Sequence, residues 1–184
     1  MIPDVLIIES AKGNVTAFEE LYRHTSPFVY SVIYRILERK EDSEDVTQET
    51  FIKVFQYLPK FRFQSSFKTW IYRIAVNCAL TKLKKRINKE GKTSPYEDTI
   101  LHQTPDTSDR GAIENQELED QIHTMLKPLN PEQRTCIILR EIEGLSYQEM
   151  ADTLKMNINT IRTRLKRARD ILIKTYRPER RIEK

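Results

Sequence analysis

The sequence has 184 residues, a formal net charge of +4 and 32% charged residues, which suits one ordinary domain or two small ones. It has no run near the roughly 18 apolar residues of a membrane span, and Met1–Asp4 do not begin a secretory signal. We therefore expect a cytoplasmic protein without membrane insertion. Two cysteines and three histidines, none at metal-ligand spacing, predict neither a disulfide, a metal site nor another cofactor.

Charge is distributed unevenly along the chain. Residues 1–93 carry a net charge of +5, residues 94–129 carry −6 and residues 130–184 carry +5. This pattern favours two modules that face an anion, with an acidic segment between them. Residues 90–112 are rich in Pro, Gly and Ser and show no periodicity, which predicts a linker. The expected domains are therefore 1–89 and 113–184.

The first domain is predicted to be helical, because apolar residues recur at spacings of three and four. Ser26-Pro27 favours a break between two helices, since serine caps a helix and proline starts one. Another helix is predicted over 42–58. Its polar face carries Asp45, Gln48 and Glu49. This face is either solvated or a docking surface for a partner.

A long basic helix is predicted over 67–87, after an irregular aromatic stretch over 61–66. Its buried stripe is expected to contain Phe67, Trp70, Ile71, Ile74 and Cys78. Its outward residues are expected to be Thr69, Arg73, Val76, Asn77 and Lys84. Residues 66–89 hold seven Lys or Arg and no acid, a charge that a polyanion would neutralise, and nearby aromatic rings can stack on unpaired bases. Nucleic-acid binding and a solvated basic helix both remain open for this segment.

The second domain is predicted to end in a helix-turn-helix. Asn130-Pro131 starts one helix, and Ser146 with Glu149 forms a capping box that opens a short helix. A turn over 155–157 leads to a basic helix over 159–176. The turn has no glycine, although Asn157 or Asn159 can take a left-handed conformation more readily than most residues. The outward side of the basic helix carries Arg162, Thr163, Lys166 and Arg167. Such residues can contact base edges and phosphates in the major groove, and the alternative is a solvated helix.

Two groups of motifs give the chain a resemblance to a known family. The first group is DVTQETF over 45–51 and FKTWIYRIAVN over 67–77, and the second is GLSYQEMA over 144–151 and TIRTRLKRAR over 160–169. Together they resemble the extracytoplasmic-function (ECF) sigma factors of bacterial RNA polymerase, in the sigma-70 family. The resemblance implies an all-α fold of two small helical domains joined by a flexible linker. The first would bind and melt the minus-ten element (sigma region 2), and the second would bind the minus-thirty-five element (sigma region 4).

The resemblance also implies a role for individual residues. Docking on the β′ clamp of the polymerase would use Asp45, Gln48 and Glu49. The minus-ten strand would contact Phe61, Arg62, Phe63, Trp70, Arg73, Asn77, Lys84, Lys85 and Arg86. The minus-thirty-five element would contact Arg140, Tyr147, Thr160, Arg162, Thr163, Lys166 and Arg167. Lys166 stands where some relatives carry an aromatic residue, a departure that bears on the preferred DNA sequence.

The implied partners are core RNA polymerase (β′ clamp and β flap), promoter DNA and an anti-sigma factor, with no small-molecule substrate. The isolated chain is expected to bind promoter DNA poorly, because a flexible linker leaves the two domains unregistered. No catalytic constellation is found in the sequence, so we expect no enzyme activity. The alternative function is a stand-alone helix-turn-helix regulator that binds duplex DNA without polymerase. The segment from Phe61 to Asn77 and the Gln48-Glu49 face favour the sigma factor, because a simple regulator has no use for a strand-separating module.

Overall fold

The computed structural model describes residues 2–90, 118 and 120–176, and all regular structure within these residues is helical. The expected all-α fold is confirmed. From residue 91 on, the predicted linker lies outside the described residues. None of the described helices is both long and apolar enough to cross a membrane. The helices are α1 (Asp4–Ala11), α2 (Val15–Leu37), α3 (Lys40–Tyr57), α4 (Phe67–Glu90), α5 (120–126), α6 (Pro131–Ile137), α7 (Tyr147–Leu154) and α8 (Ile158–Tyr176).

The N-terminal domain, α1 to α4, is a bundle in which α2, α3 and α4 pack against one another and α1 packs against α2. Its core contains Leu21, Ile33, Val54 and Ile71, all fully buried. A short 3₁₀ turn, Leu58–Lys60, ends α3 and leads into the aromatic stretch before α4. This turn places the aromatic residues at one end of the bundle, beside the first turn of α4.

The predicted break at Ser26-Pro27 is wrong, because α2 runs without interruption through Pro27. A proline inside a helix removes one backbone hydrogen bond and costs about 3 kcal/mol. Thr25 and Val29, on either side of Pro27, are both fully buried. One long stripe of α2 therefore packs against α3 and α4, and this burial outweighs the cost of the proline.

Helix α4 is buried more widely than a single stripe predicts, because it contacts α2, α3 and α7. Phe67, Ile71 and Cys78 are buried as expected, whereas Trp70 and Ile74 are only partly buried. Val76 was expected to point outward and is fully buried, which corrects that prediction. Tyr72, Ala75 and Ala79 are buried as well. Because α4 is covered on several sides, more of its residues are buried than the single predicted apolar stripe contains.

The C-terminal domain, α5 to α8, is built around Met150, Ile161 and Leu165, which are fully buried. Asn130 caps α6, as predicted, by accepting a hydrogen bond from the Gln133 backbone N–H at 2.9 Å. After α6 the chain forms a π-helical segment, Ile138–Ile142. This segment ends at Glu143 and at Gly144, whose φ is +73°.

The two domains are in direct contact in this structure. Helix α4 packs against α7, and α2 contacts α6. Several side chains bridge the two domains, among them a buried acid at the end of the π-helical segment. The contact lies beside the residues predicted to bind DNA, so it bears directly on the candidate site.

Candidate nucleic-acid interface

The helix-turn-helix is formed by α7, a tight turn and α8. Ser146 and Glu149 make the predicted capping box: the Ser146 hydroxyl accepts from the Glu149 backbone N–H at 3.2 Å, and the Glu149 carboxylate accepts from the Ser146 backbone N–H at 2.9 Å. The hydrogen bonds from Ser146 hold the pKa of Glu149 below its usual value. Each of these two bonds joins a side-chain oxygen to a backbone N–H, so together they fix the direction in which α7 begins.

Within the turn, Lys155 has the left-handed backbone conformation, with φ of 52°, and neither Asn157 nor Asn159 does. The backbone N–H groups of Lys155 and Met156 both donate to the Ala151 carbonyl, which satisfies the end of α7. A left-handed lysine costs roughly 1–2 kcal/mol, and these bonds offset that cost. Asn157 instead caps the next helix, because its side chain accepts from the Asn159 backbone N–H at 2.8 Å.

Helix α8 separates its apolar and cationic sides cleanly. Ile161, Leu165 and Ala168 are fully buried against the rest of the domain. All the residues of this helix that were predicted to contact the minus-thirty-five element are exposed: Thr160, Arg162, Thr163, Lys166 and Arg167. The flanking arginines are held by acids: Arg164 pairs with Glu132 at 2.7 Å and Arg169 Nε donates to Glu141 at 3.1 Å. Among the described residues no ion pair is recorded for Lys166 or Arg167, so their charges face solvent.

Tyr147 extends this cationic face onto the π-helical segment. The guanidinium carbon of Arg140 lies 4.8 Å from the centre of the Tyr147 ring, and that of Arg162 lies 5.7 Å from it. Arg140 also donates to the Leu145 carbonyl at 2.8 Å. Cation–π contacts of this kind hold a guanidinium in place. The structure therefore joins Arg140, Tyr147 and Arg162 into one surface at the start of α7.

Aromatic rings cluster where the chain enters α4. The ring centre of Phe61 is 4.7 Å from that of Phe63 and 5.1 Å from that of Trp70. Phe63 is 47% exposed and has a left-handed backbone, with φ of 55°. Arg62 is exposed beside it. This cluster presents aromatic faces and a cation at one edge of the N-terminal domain, a combination that can stack unpaired bases.

The remaining predicted minus-ten residues on α4 lie in three different environments. Asn77, Lys84 and Lys85 are exposed, and the Asn77 amide donates to the Arg73 carbonyl at 2.6 Å. Arg73 itself lies 3.8 Å from Asp152 of the C-terminal domain. Arg86 is mostly buried.

Arg86 ties three helices of the N-terminal domain together. Its guanidinium donates to the Leu37 carbonyl at 3.0 Å and pairs with Asp42 at 3.4 Å, and 15% of its side chain is exposed. Lys82 pairs with the same Asp42 carboxylate at 2.9 Å. A phosphate would have to displace these partners in order to bind Arg86. Lys84 and Lys85 are exposed, so a phosphate could reach them directly.

The polar residues predicted for docking share one exposed face of α3. Asp45 is 73% exposed and Glu49 is 52% exposed in their side chains, and Gln48 lies exposed between them. Lys82 approaches Asp45 at 3.5 Å, and Lys53 pairs with Glu49 at 2.6 Å. The opposite side of α3 is buried in the domain core. The face is therefore accessible and mixed in charge.

Glu143 is an interacting residue that the sequence analysis did not single out. Its side chain is 6% exposed, it pairs with Arg35 at 3.2 Å, and it accepts a hydrogen bond from the Tyr72 hydroxyl. Burial and the adjacent Glu143 carboxylate raise the pKa of Tyr72 well above its usual value. In the sequence, Glu143 is marked only by its position before a glycine at a helix end. That position does not indicate its partners, which lie 71 and 108 residues away along the chain.

Comparisons with known proteins place the chain in a family. The models for sigma-70 region 2 and sigma-70 region 4 match residues 21–87 and 119–172. The RNA polymerase sigma-H factor of Pseudomonas aeruginosa is 32% identical over 94% of this chain and 93% of its own. The ECF RNA polymerase sigma-E factor of Haemophilus influenzae is 33% identical, with 96% and 97% covered.

A solved structure shares the fold. The sigma factor RpoE of Bartonella quintana, determined with the anti-sigma factor NepR, has a TM-score of 0.67 and 24% identity, with 89% of this chain and 98% of that chain covered. Two helical domains with these motifs in this order define a sigma-70 type of protein. The chain belongs to the ECF sigma factors of the sigma-70 family.

Proposed function

We propose that this protein binds core RNA polymerase and directs it to promoters by recognising minus-thirty-five and minus-ten elements and melting the DNA. The observation that carries the proposal is the presence of two different exposed cationic surfaces in one chain. One is a cationic helix-turn-helix face suited to duplex DNA, and the other is an aromatic and basic surface suited to a separated strand. The protein acts through binding, without catalytic chemistry of its own, in the cytoplasm where polymerase works.

The C-terminal domain would place α8 in the major groove of the minus-thirty-five element. The groove is wide enough for one helix, and arginine or lysine can pair with the guanine edge. Arg167 and Lys166, which are exposed and form no ion pair within the described residues, support this role, as does Arg162. Thr160 and Thr163 would add contacts to bases or phosphates. Arg140 and Tyr147 would hold the DNA backbone at the edge of the same face.

The N-terminal domain would hold the melted minus-ten strand. Taking a base out of the stack costs a few kcal/mol, and stacking on an aromatic ring returns about 1–3 kcal/mol per base. The ring cluster of Phe61, Phe63 and Trp70 offers such stacking surfaces. Asn77 would contact the extruded base, and Lys84 and Lys85 would neutralise phosphates. Arg62 and Arg73 would add charge at the edge of the strand.

Polymerase would be bound through the exposed face of α3. Asp45, Gln48 and Glu49 offer carboxylates and an amide to the β′ clamp, while the C-terminal domain would meet the β flap. The acidic residues between the domains would run toward the RNA exit path. An anti-sigma factor is the proposed regulatory partner, supported by the RpoE–NepR structure of a protein with the same fold.

Run-off transcription is the direct test. The purified chain is added to bacterial core polymerase with a library of promoter fragments, and core alone is the control. Initiation at defined sites that share an upstream pair of elements is the expected result. If core stays inactive while the chain alone shifts duplex DNA, the protein is a stand-alone regulator, and the roles of Asp45, Gln48, Glu49, Phe61 and Asn77 fall with the proposal.

A further inference from the structure

Asn159 stands at the start of the face of α8 that is proposed to contact the minus-thirty-five element, and the sequence analysis considered it only as a turn residue. It is the second residue of α8 and is exposed. Residues three, four and seven positions apart share one side of a helix, so Asn159 lies on the same side as Arg162, Thr163 and Lys166. In a helix-turn-helix, the N-terminal residues of the second helix contact base edges. Asn159 therefore occupies a position from which a base can be reached.

The fold does not depend on the side chain of Asn159. The Asn157 side chain caps α8 by accepting from the Asn159 backbone N–H at 2.8 Å, and the Thr163 hydroxyl donates to the Asn159 carbonyl at 2.9 Å. The side-chain oxygen of Asn159 accepts from Arg162 Nη1 at 3.4 Å, and its NH₂ group donates to no group within the part of the chain that the structure describes. An exposed amide that neither caps a helix nor packs in a core is available to a ligand.

The hydrogen bond to Asn159 and the ring of Tyr147 hold Arg162 from two directions. The guanidinium carbon of Arg162 lies 5.7 Å from the centre of the Tyr147 ring. A guanidinium has five N–H donors in a fixed plane, so one bond to Asn159 leaves the others for DNA. The Asn159 amide oxygen has two lone pairs, so it can accept from Arg162 and from a base at the same time. The two side chains are thus held together without losing their capacity to bind.

The chemistry of these two side chains matches two different purines. An asparagine amide accepts from N6 and donates to N7 of adenine, whereas an arginine donates to O6 and N7 of guanine. Asn159 and Arg162 are separated by about 4.5 Å along the helix axis, at 1.5 Å per residue. Neighbouring base pairs are separated by about 3.4 Å. The two side chains can therefore meet two neighbouring base pairs in the major groove.

The charge at the other end of the same face favours contact near the start of α8. Asp170 is exposed and lies on the side of Asn159 and Lys166, about three turns further along the helix. Its carboxylate repels phosphates, so the DNA is expected to lie closest to the first turns. Asn159 and Arg162 belong to those turns.

We infer that Asn159 is a specificity-determining residue that reads an adenine in the minus-thirty-five element, beside a guanine read by Arg162. The inference rests on the proposed function, because it names a base that α8 reads at the proposed site. The hydrogen bond between the two side chains makes them one reading unit, in which each restricts the orientation of the other.

The substitution Asn159→Asp separates reading of a base from positioning of Arg162. The carboxylate still accepts from Arg162, but it has no donor for N7 of adenine. It accepts instead from the N4 amine of cytosine. The preferred base is therefore expected to change from adenine to cytosine at one position, with the neighbouring guanine retained. A residue that only positioned Arg162 would alter the guanine preference and leave the adjacent position unchanged.

The assay uses the complex of the chain with core polymerase and a library of promoter fragments in which the minus-thirty-five element is randomised. Bound fragments are sequenced, and the preferences of each variant are compared with those of the wild type. The wild type is expected to prefer adenine at one position by about 5- to 160-fold. The matched control is Asn157→Asp, which places the same charge two residues away and retains a cap for α8. Its base preferences are expected to remain those of the wild type.

The substitution Asn159→Ala tests the same assignment without an added charge. It is expected to lose the adenine preference at that position and to keep the thermal midpoint of the wild type, because the fold does not depend on the side chain. The inference is overturned if folded Asn159→Ala retains every base preference. It is also overturned if Asn159→Asp weakens binding equally on all fragments and changes no preferred base.

Failure of the proposed function is a different result, because it is seen with the wild type. The complex with core polymerase would then select no shared minus-thirty-five sequence. In that case the free chain is applied to the same library, since a stand-alone regulator would also read duplex DNA through α8. Loss of one base preference in Asn159→Ala would support the inference there as well, and unchanged preferences would overturn it.

Discussion

Replacing Arg167 by alanine is the sharpest test of how α8 reads DNA. Arg167 is exposed, two residues before Arg169, and no acid is recorded beside it among the described residues. Arg169, by contrast, is held by Glu141. The two arginines therefore give a matched pair on one helix, with the same charge and a different availability to DNA.

The size of the effect follows from the contact that Arg167 is proposed to make. A bidentate arginine–guanine contact discriminates against the wrong base by about 1–3 kcal/mol, which corresponds to about 5- to 160-fold in binding. Stability is expected to change by less than about 0.5 kcal/mol, because the side chain is exposed and forms no hydrogen bond or ion pair within the part of the chain that the structure describes. Arg167→Ala should thus lose selectivity between promoters while its melting curve stays unchanged.

The assay is competition between two promoter fragments, one with the preferred minus-thirty-five sequence and one altered there, for the complex with core polymerase. Arg167→Ala is expected to reduce the preference for the first fragment, and Arg169→Ala is expected to retain it. A phosphate contact would give another pattern: equal loss on both fragments and a salt slope reduced by about 0.9. Equal loss of selectivity in both variants would refute the assignment of the reading face.

Three further predictions concern the N-terminal domain. Trp70→Ala is expected to lower the free energy of unfolding by about 3 kcal/mol, the low end for tryptophan, since the ring is only partly buried; an unchanged thermal midpoint would contradict its packing. Glu49→Lys should weaken polymerase binding in gel filtration while leaving the fold intact, because Glu49 is exposed, and normal complex formation would remove the docking role. Burial acts to raise the pKa of Asp42, but Lys82 and Arg86 outweigh it and lower the pKa. Asp42 therefore stabilises the fold above its unfolded pKa of about 3.9, and this contribution is lost as the pH falls further. Asp42→Asn should lower the thermal midpoint at pH 7 and leave it nearly unchanged near pH 2, so an equal loss at both values would exclude this origin.

Local signals in the sequence were sufficient for the caps and for the cationic face of α8. Asn130 and Ser146 each cap the helix that was predicted, because a cap depends on residues within three positions. The outward side of α8 follows from its period alone, since one side of that helix packs against its domain and the other faces solvent. Prediction from spacing works where an element has one buried side.

The predictions that failed depended on packing between distant elements. Pro27 lies inside α2 because residues on both sides of it are needed in one core, and Val76 is buried because α4 is covered by several helices. Each of these outcomes is decided by contacts that spacing along the chain does not contain.

The basic side chains of this protein have two possible sets of partners. Residues 1–93 and 130–184 each carry a net charge of +5, so two such segments repel each other unless acids lie between them. Glu38, Glu143 and Asp152 supply those acids at the contact of the domains. Of these acids, Asp152 lies beside Arg73, which is proposed to contact the minus-ten strand, so this carboxylate and a DNA phosphate would compete for the same cation. Binding of the strand at Arg73 would therefore exchange the Asp152 carboxylate for a phosphate.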